Sequence, residues 1–138
     1  MSANGGLEFV HPDGWMQPKG YSSGVLAPPG ARILFVAGQV AWDAREQLVG
    51  AGDFAAQFEQ ALRNVLEVVR AAGGSPADVA RLTVFVSDKQ AYAAVPKELG
   101  LVWRRLMGRH YPAMALVEVS ALLEEGALVE IEATAAIS

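Results

Sequence analysis

The chain has no cysteine among its 138 residues. Disulfides, thiolate nucleophiles and cysteine-ligated metals are therefore excluded. Histidine is nearly as scarce: His11 and His110 are the two in the chain, and they fall in separate loops without ligand spacing. No metal site is expected from such a set. Charge is also low, with 19% of residues charged against about 25% in ordinary soluble domains. Net charge is −4, from 11 basic and 15 acidic residues, which leaves no basic stripe for a nucleic acid to follow. No apolar run approaches the roughly 18 residues of a membrane span. The opening "MSANGGLEFV" has no basic stretch leading into an apolar one, so no signal peptide is expected. A reducing, cytoplasmic setting fits these absences. Also missing are a phosphate-cradling GxxxxGKS or GxxxxGKT loop and the sharp strand-to-helix turn that presents a nucleophilic serine.

What remains is strongly apolar, with 52% hydrophobic residues and a mean hydropathy of +0.24. The length suits one domain over 1–138, with a loop-rich N-terminal segment over 1–17. A chain of this size buries about two-thirds of its unfolded surface. With so few charges to cover the rest, burial of further apolar surface in an oligomer is expected.

Turns, loops and one short strand are expected over the first thirty residues, with a turn at "APPG" (27–30). "RILFVAGQVAW" (32–42) reads as a buried strand, and Gly38 within it suggests a bulge. Asp53 is a good N-cap for a long helix ending at Gly73 and Gly74. Its apolar stripe is Phe54, Phe58, Ala61, Leu62, Val65, Val69 and Ala72, with Gln57 among the residues placed on the polar side. "ARLTVFVSD" (80–88) alternates as a second strand. A second helix is expected from about Val95 to Met107, with Pro96 in its first turn and Gly108 at its end. Two strands close the chain, "YPAMALVEVS" (111–120) and "ALVEIEATAAI" (127–137). The order implies an α+β fold, a two-layer sandwich whose mixed sheet is covered on one face by two helices. Other subunits are expected over the bare face.

In "YPAMALVEVS" the period of two sets Ala113, Ala115, Val117 and Val119 on one side, which reads as the core face. Met114, Leu116 and Glu118 share the other. Carboxylates inside apolar strands are costly without partners or solvent, so Glu118, Glu130 and Glu132 are candidates for proton transfer, set against a solvent-facing or ion-paired sheet side. Arg104, Arg105, Arg109 and His110 cluster at the end of the second helix. Complementing the helix dipole is the simpler reading, and an anion or carboxylate site is the sharper one. Tyr21 and Gln39 are ordinary loop and strand-end residues taken singly.

Taken in order, "KGYSSG" (19–24), "VAGQVAWD" (36–43), "QALRNVLEVVRAAGG" (60–74), "LTVFVSD" (82–88), "YPAMALVEVSAL" (111–122) and "VEIEATA" (129–135) resemble the RidA/YjgF family, also known as endoribonuclease L-PSP. The resemblance implies a chorismate-mutase-like fold, a homotrimer and clefts between neighbouring subunits. It implies hydrolysis of 2-enamines and 2-imines to 2-keto acids and ammonia without a cofactor. In the family's Pro-Ala-Arg-Ser-x-Val-Glu-Val strand the arginine grips a substrate carboxylate, and a glutamate in the last strand positions water.

This sequence keeps Pro112, Ala113, Val117, Glu118 and Val119 of that strand but has Met114 in place of the arginine. A thioether offers no bidentate donor to a carboxylate. Ala115 replaces the motif serine, Leu116 stands where cysteine is frequent, Ala37 replaces a serine before Gly38, and Pro96 replaces an asparagine. Tyr21, Gly38, Gln39 and Glu130 match the family. The resemblance thus implies Glu130 as general base or water-positioner and Tyr21 as a substrate contact. Met114, Ala115, Leu116 and Gln39 would shape the substrate site, backbone N–H groups near Leu116 would orient the substrate, and Arg109 is the candidate replacement cation. The expected substrate is a small, less polar molecule lacking an essential carboxylate. A non-catalytic ligand-binding or regulatory trimer is the alternative, and ribonuclease activity ranks last.

Overall fold

The computed structural model describes residues 6–138, so the first five residues of the expected loop-rich segment lie outside the described residues. Two short strands, β1 (Glu8–Val10) and β2 (Gly24–Leu26), pair antiparallel near the N-terminus. One strand was expected there; three-residue strands are too short to show an alternation. The Pro28 carbonyl accepts from Ala31 N–H at 3.3 Å, closing the expected turn, with Gly30 at φ 77° where a side chain would be strained.

The main sheet has four strands, β3 (Arg32–Gln39), β4 (Val79–Val86), β5 (Ala113–Glu118) and β6 (Val129–Ile137), in the order β3-β6-β4-β5. β6 runs antiparallel to both β3 and β4, whereas β4 and β5 are parallel. β3, β4 and β5 therefore all run one way, and each connection between them needs a crossover. α1 (Phe54–Ala71) makes the first; α2 (Lys89–Ala93) and α3 (Pro96–Met107) make the second. α1 and α3 pack against each other and α1 against β3 and β6, giving the expected α+β sandwich. The register slips between Val36 and Gln39, which is the bulge expected at Gly38.

α1 begins where Asp53 accepts from Ala56 N–H at 3.1 Å and ends before Gly73, at φ 88°. Of its expected stripe, Phe54, Phe58, Ala61, Leu62, Val65 and Val69 are buried, with Leu66 added, in one core with Val84, Ile131 and Val129, while Ala72 at the C-cap is partly buried. Gln57 departs from its expected polar side. It is fully buried, donating to the carbonyls of Gly50 and Gly126 at 3.2 and 3.1 Å and accepting from Leu128 N–H at 2.8 Å. The helical period sets Gln57 beside Phe54 and Phe58, and its amide, with its hydrogen bonds met inside, ties two loops to the helix. Gln57→Ala leaves those backbone groups unpaired in the interior, and should cost about 2–4 kcal/mol in chemical denaturation.

Period two holds along β5, but the side is the reverse of the expected one. Leu82 pairs with Met114 and Val84 with Leu116, and both partners lie against the core beneath the helices. Ala113, Ala115 and Val117 face the uncovered side, where Val117 is 42% exposed and Phe35 on β3 78%. The misleading residue is Glu118, whose carboxylate sits at the strand end and accepts from Lys89 N–H at 2.9 Å. Alternation gives the period of a strand and not its orientation.

His110 is buried at 4% exposure, with its Nε2–H donating to the Val79 carbonyl at 2.6 Å and its ring edge against Phe9. Burial lowers its pKa, opposed by that hydrogen bond and by nearby Asp78. The folded state thus resists a proton that the unfolded chain accepts near pH 6.5. Stability should fall as pH drops below that value, by at most about 1.4 kcal/mol per pH unit from this group. Denaturant titrations at pH 6.5 and 5.5 check the slope, which His110→Gln should flatten.

Candidate functional site

A pocket of about 320 Å³ opens between the sheet and the helices. Its floor is Met114 and Leu116 of β5 with Val84 of β4; Phe58 of α1 closes one side. α3 supplies the opposite wall through Pro96, Leu99, Gly100, Trp103 and Arg104, and Tyr92 and Tyr111 complete the rim. Positions 96, 99/100 and 103/104 recur on one helical face, which explains why α3 presents them together. Pro96 at the first turn fixes where that face begins.

The wall is rigid at its aromatic end. Trp103 and Tyr111 stack with centroids 6.1 Å apart and planes 6° from parallel, and the indole N–H donates to the His110 carbonyl at 3.2 Å. Gly100 opens the middle: a Cβ there would meet no atom within 4 Å. A glycine inside a helix costs about 0.5–1 kcal/mol relative to alanine. Here it leaves room above Met114.

A second recess of about 390 Å³ holds Tyr21, with Phe9, Val10 and His11. It shares Gly20 and Tyr111 with the first, so the two are neighbours. Ser22 bridges to Ala113 and its N–H donates to the Pro112 carbonyl at 3.1 Å, docking the Tyr21 loop on the start of β5. His11 Nε2–H donates to the Trp15 carbonyl at 3.0 Å, which leaves Nδ1 to accept from the Ser23 hydroxyl, also at 3.0 Å.

The remaining expected site residues lie elsewhere. Glu130 sits opposite Phe85 in the β4–β6 ladder, between buried Val129 and Ile131, and so faces the uncovered side of the sheet. Its carboxylate lies directly over Gly38, where any Cβ would collide with it. This close approach accounts for the glycine. Ala115 shares the uncovered face, opposite Thr83. Gln39 donates to the Ala37 carbonyl at 3.1 Å and lines a separate recess with Trp42 and Asn64. Glu132 joins Arg81, Thr83 and Thr134 in a small polar recess on the sheet. Arg109 does not line the main pocket; Arg104 does. Met114, Leu116 and the Tyr21 loop are thus brought together, while Glu130, Ala115, Gln39 and Arg109 stand apart from them within one chain.

Tyr92 and Gly100 are not singled out by the sequence, and Trp103 stands out there only as part of the second helix's apolar stripe. The available signal was a glycine inside a helix, flanked at helical spacing by Pro96 and Trp103.

A one-sided α+β sandwich with this motif strand along its edge defines the class. The chain belongs to the RidA/YjgF family: the family model described as Endoribonuclease L-PSP matches residues 16–137. It is 35% identical over 115 residues to a RutC family protein of Pyrococcus horikoshii, covering 83% of this chain and 85% of that one. The human 2-iminobutanoate/2-iminopropanoate deaminase is 30% identical over 115 residues, covering 83% and 78%. The crystal structure of the Rid family protein YyfB from Yersinia pestis superposes with a TM-score of 0.78 at 36% identity, covering 96% of this chain and 99% of that one.

Gly100→Ala should stabilise the fold by about 0.5–1 kcal/mol, since the helix gains and nothing is displaced. Gly100→Leu should keep the fold and fill the pocket. Thermal melts of both variants test the open space assigned to position 100.

Proposed function

We propose that the chain hydrolyses an imine or enamine carrying a large apolar group, in clefts between the subunits of a homotrimer. The observation that carries this reading is the pocket itself: the motif strand that in the family holds a carboxylate-gripping arginine here lays Met114 and Leu116 along an apolar cavity of about 320 Å³. The relatives named as 2-iminobutanoate/2-iminopropanoate deaminases support the reaction type. The substrate's apolar group packs against Met114, Leu116 and Trp103. Tyr21 contacts the polar end, and Glu130 of a neighbouring subunit takes a proton from water as its oxygen adds to the imine carbon. Glu130 returns that proton to the nitrogen, which gives a carbinolamine; the hydroxyl proton then passes to the nitrogen through the same carboxylate as the C–N bond breaks, and ammonia and a carbonyl compound leave.

One observation favours ligand binding without turnover as a second reading. Among the described residues the pocket lining holds no carboxylate and no imidazole, so a single chain offers a cavity without the usual general bases. Recovering the ligand unchanged by mass spectrometry would support that reading. A ribonuclease activity gains no support from a net charge of −4 and an apolar lining.

Ammonia release from imines generated in situ by an amino-acid oxidase tests the proposal. Imines made from phenylalanine or leucine should be turned over well above the protein-free rate, and 2-iminopropanoate poorly. Glu130→Gln should lower turnover by about 10²–10⁴-fold. Gly38→Ala should lower it at least about tenfold with little loss of stability, because a new Cβ displaces the flexible end of Glu130 rather than backbone. Full activity of Glu130→Gln, or no release above background from any imine, contradicts the proposal.

A further inference from the structure

Arg104 is the charged side chain in the pocket lining. The arginine beside it, Arg105, is held by Glu59 at 2.6 Å. Among the described residues Arg104 makes no ion pair or side-chain hydrogen bond. It lies four residues after Gly100 on the same face of α3, and both residues line the pocket. The Tyr92 and Tyr111 hydroxyls, also at this rim, have no hydrogen-bond partner among the described residues either. An apolar, aromatic-walled cavity therefore ends in a cation and two hydroxyls without partners among the described residues. A cavity of roughly 150 Å³ already holds benzene. One of about 320 Å³ has room for a phenyl or indolyl group with a short chain.

We propose that Arg104 is the anion-binding group of this pocket, so that its ligand is an amphipathic carboxylate with an aromatic-sized apolar group lying on Met114 and Leu116 and its carboxylate at the α3 rim. This rests on the reading of the pocket as the substrate cleft, and it replaces the carboxylate-free substrate expected from Met114 alone. The cation has moved from the strand to the helix. The carboxylate is then held at the mouth and the side chain points inward, where a strand arginine would draw the carboxylate to the floor. Arginine suits the task, since its planar fork matches a carboxylate and stays charged at any working pH.

Calorimetric titration with two unreactive probes, 3-phenylpropanoate and 3-phenylpropanamide, tests the assignment without requiring turnover. The wild type should bind the acid at least about tenfold more tightly than the neutral amide, the range of a charge-assisted hydrogen bond. Arg104→Gln should erase that preference and leave amide binding unchanged, and Gly100→Leu should abolish both. Circular dichroism confirms the fold of each variant. Equal affinities in the wild type, a preference that survives Arg104→Gln, or binding of neither probe overturns the proposal. Ammonia release separates the two readings. Turnover with equal binding of acid and amide removes Arg104 and keeps the hydrolase. A carboxylate preference lost in Arg104→Gln, with no imine turned over, keeps Arg104 and removes the hydrolase.

Discussion

The parallel pairing of β4 with β5 sets Leu82 opposite Met114 and Val84 opposite Leu116. That register decides what each side of the edge strand can do. Leu82 and Val84 are fully buried, so their β5 partners are drawn beneath the helices, and a one-residue slip would send Ala115 and Val117 there instead. An alanine and a valine in place of methionine and leucine would enlarge the cavity and remove the contacts that close its floor. Core packing and pocket shape are thus fixed by the same ladder, with α3 as the other wall.

The same period of two divides the chemistry. Met114 and Leu116 face the helices, while Glu130 on the central strand β6 faces the uncovered side, with its carboxylate over Gly38. One chain therefore presents the apolar cavity on one surface and the Glu130 carboxylate on another. The uncovered face also exposes Ile33, Phe35 and Val117, an apolar rim around Arg81, Glu130 and Glu132. In the proposed trimer, burial of that rim supplies the association energy. On the proposed function, the same contact would bring Glu130 of one chain to the pocket of the next. Assembly and catalysis then share one requirement.

Much of the fold was legible in the sequence. Asp53 and Gly73 bounded α1, Pro96 and Gly108 bounded α3, and Gly38 marked the bulge, because caps, prolines and glycines act locally on backbone conformation. Which face of β5 turned inward was not legible. That depends on a neighbouring strand, and Glu118 was drawn to an N–H on α2 that only the fold supplies. Gln57 failed for a related reason: an amide with every donor and acceptor used packs like a core residue, but its partners lie 7, 69 and 71 residues away. For the site, Met114 and Leu116 were legible as departures from a motif. Arg104 was visible only as one of a cluster, and its separation from Arg105 came from Glu59 on another helix.

Subunit mixing tests most directly the claim that pocket and carboxylate come from different chains. Glu130→Gln chains have an intact pocket, and Gly100→Leu chains have an intact carboxylate. Each variant assembled alone should be inactive on an imine that the wild type hydrolyses. Unfolded together in equal amounts and reassembled, they should recover about a quarter of wild-type turnover, since one cleft in four pairs an intact pocket with an intact carboxylate. No recovery, with mixed trimers confirmed by native mass spectrometry, would place both groups of a working site in a single chain and contradict the account.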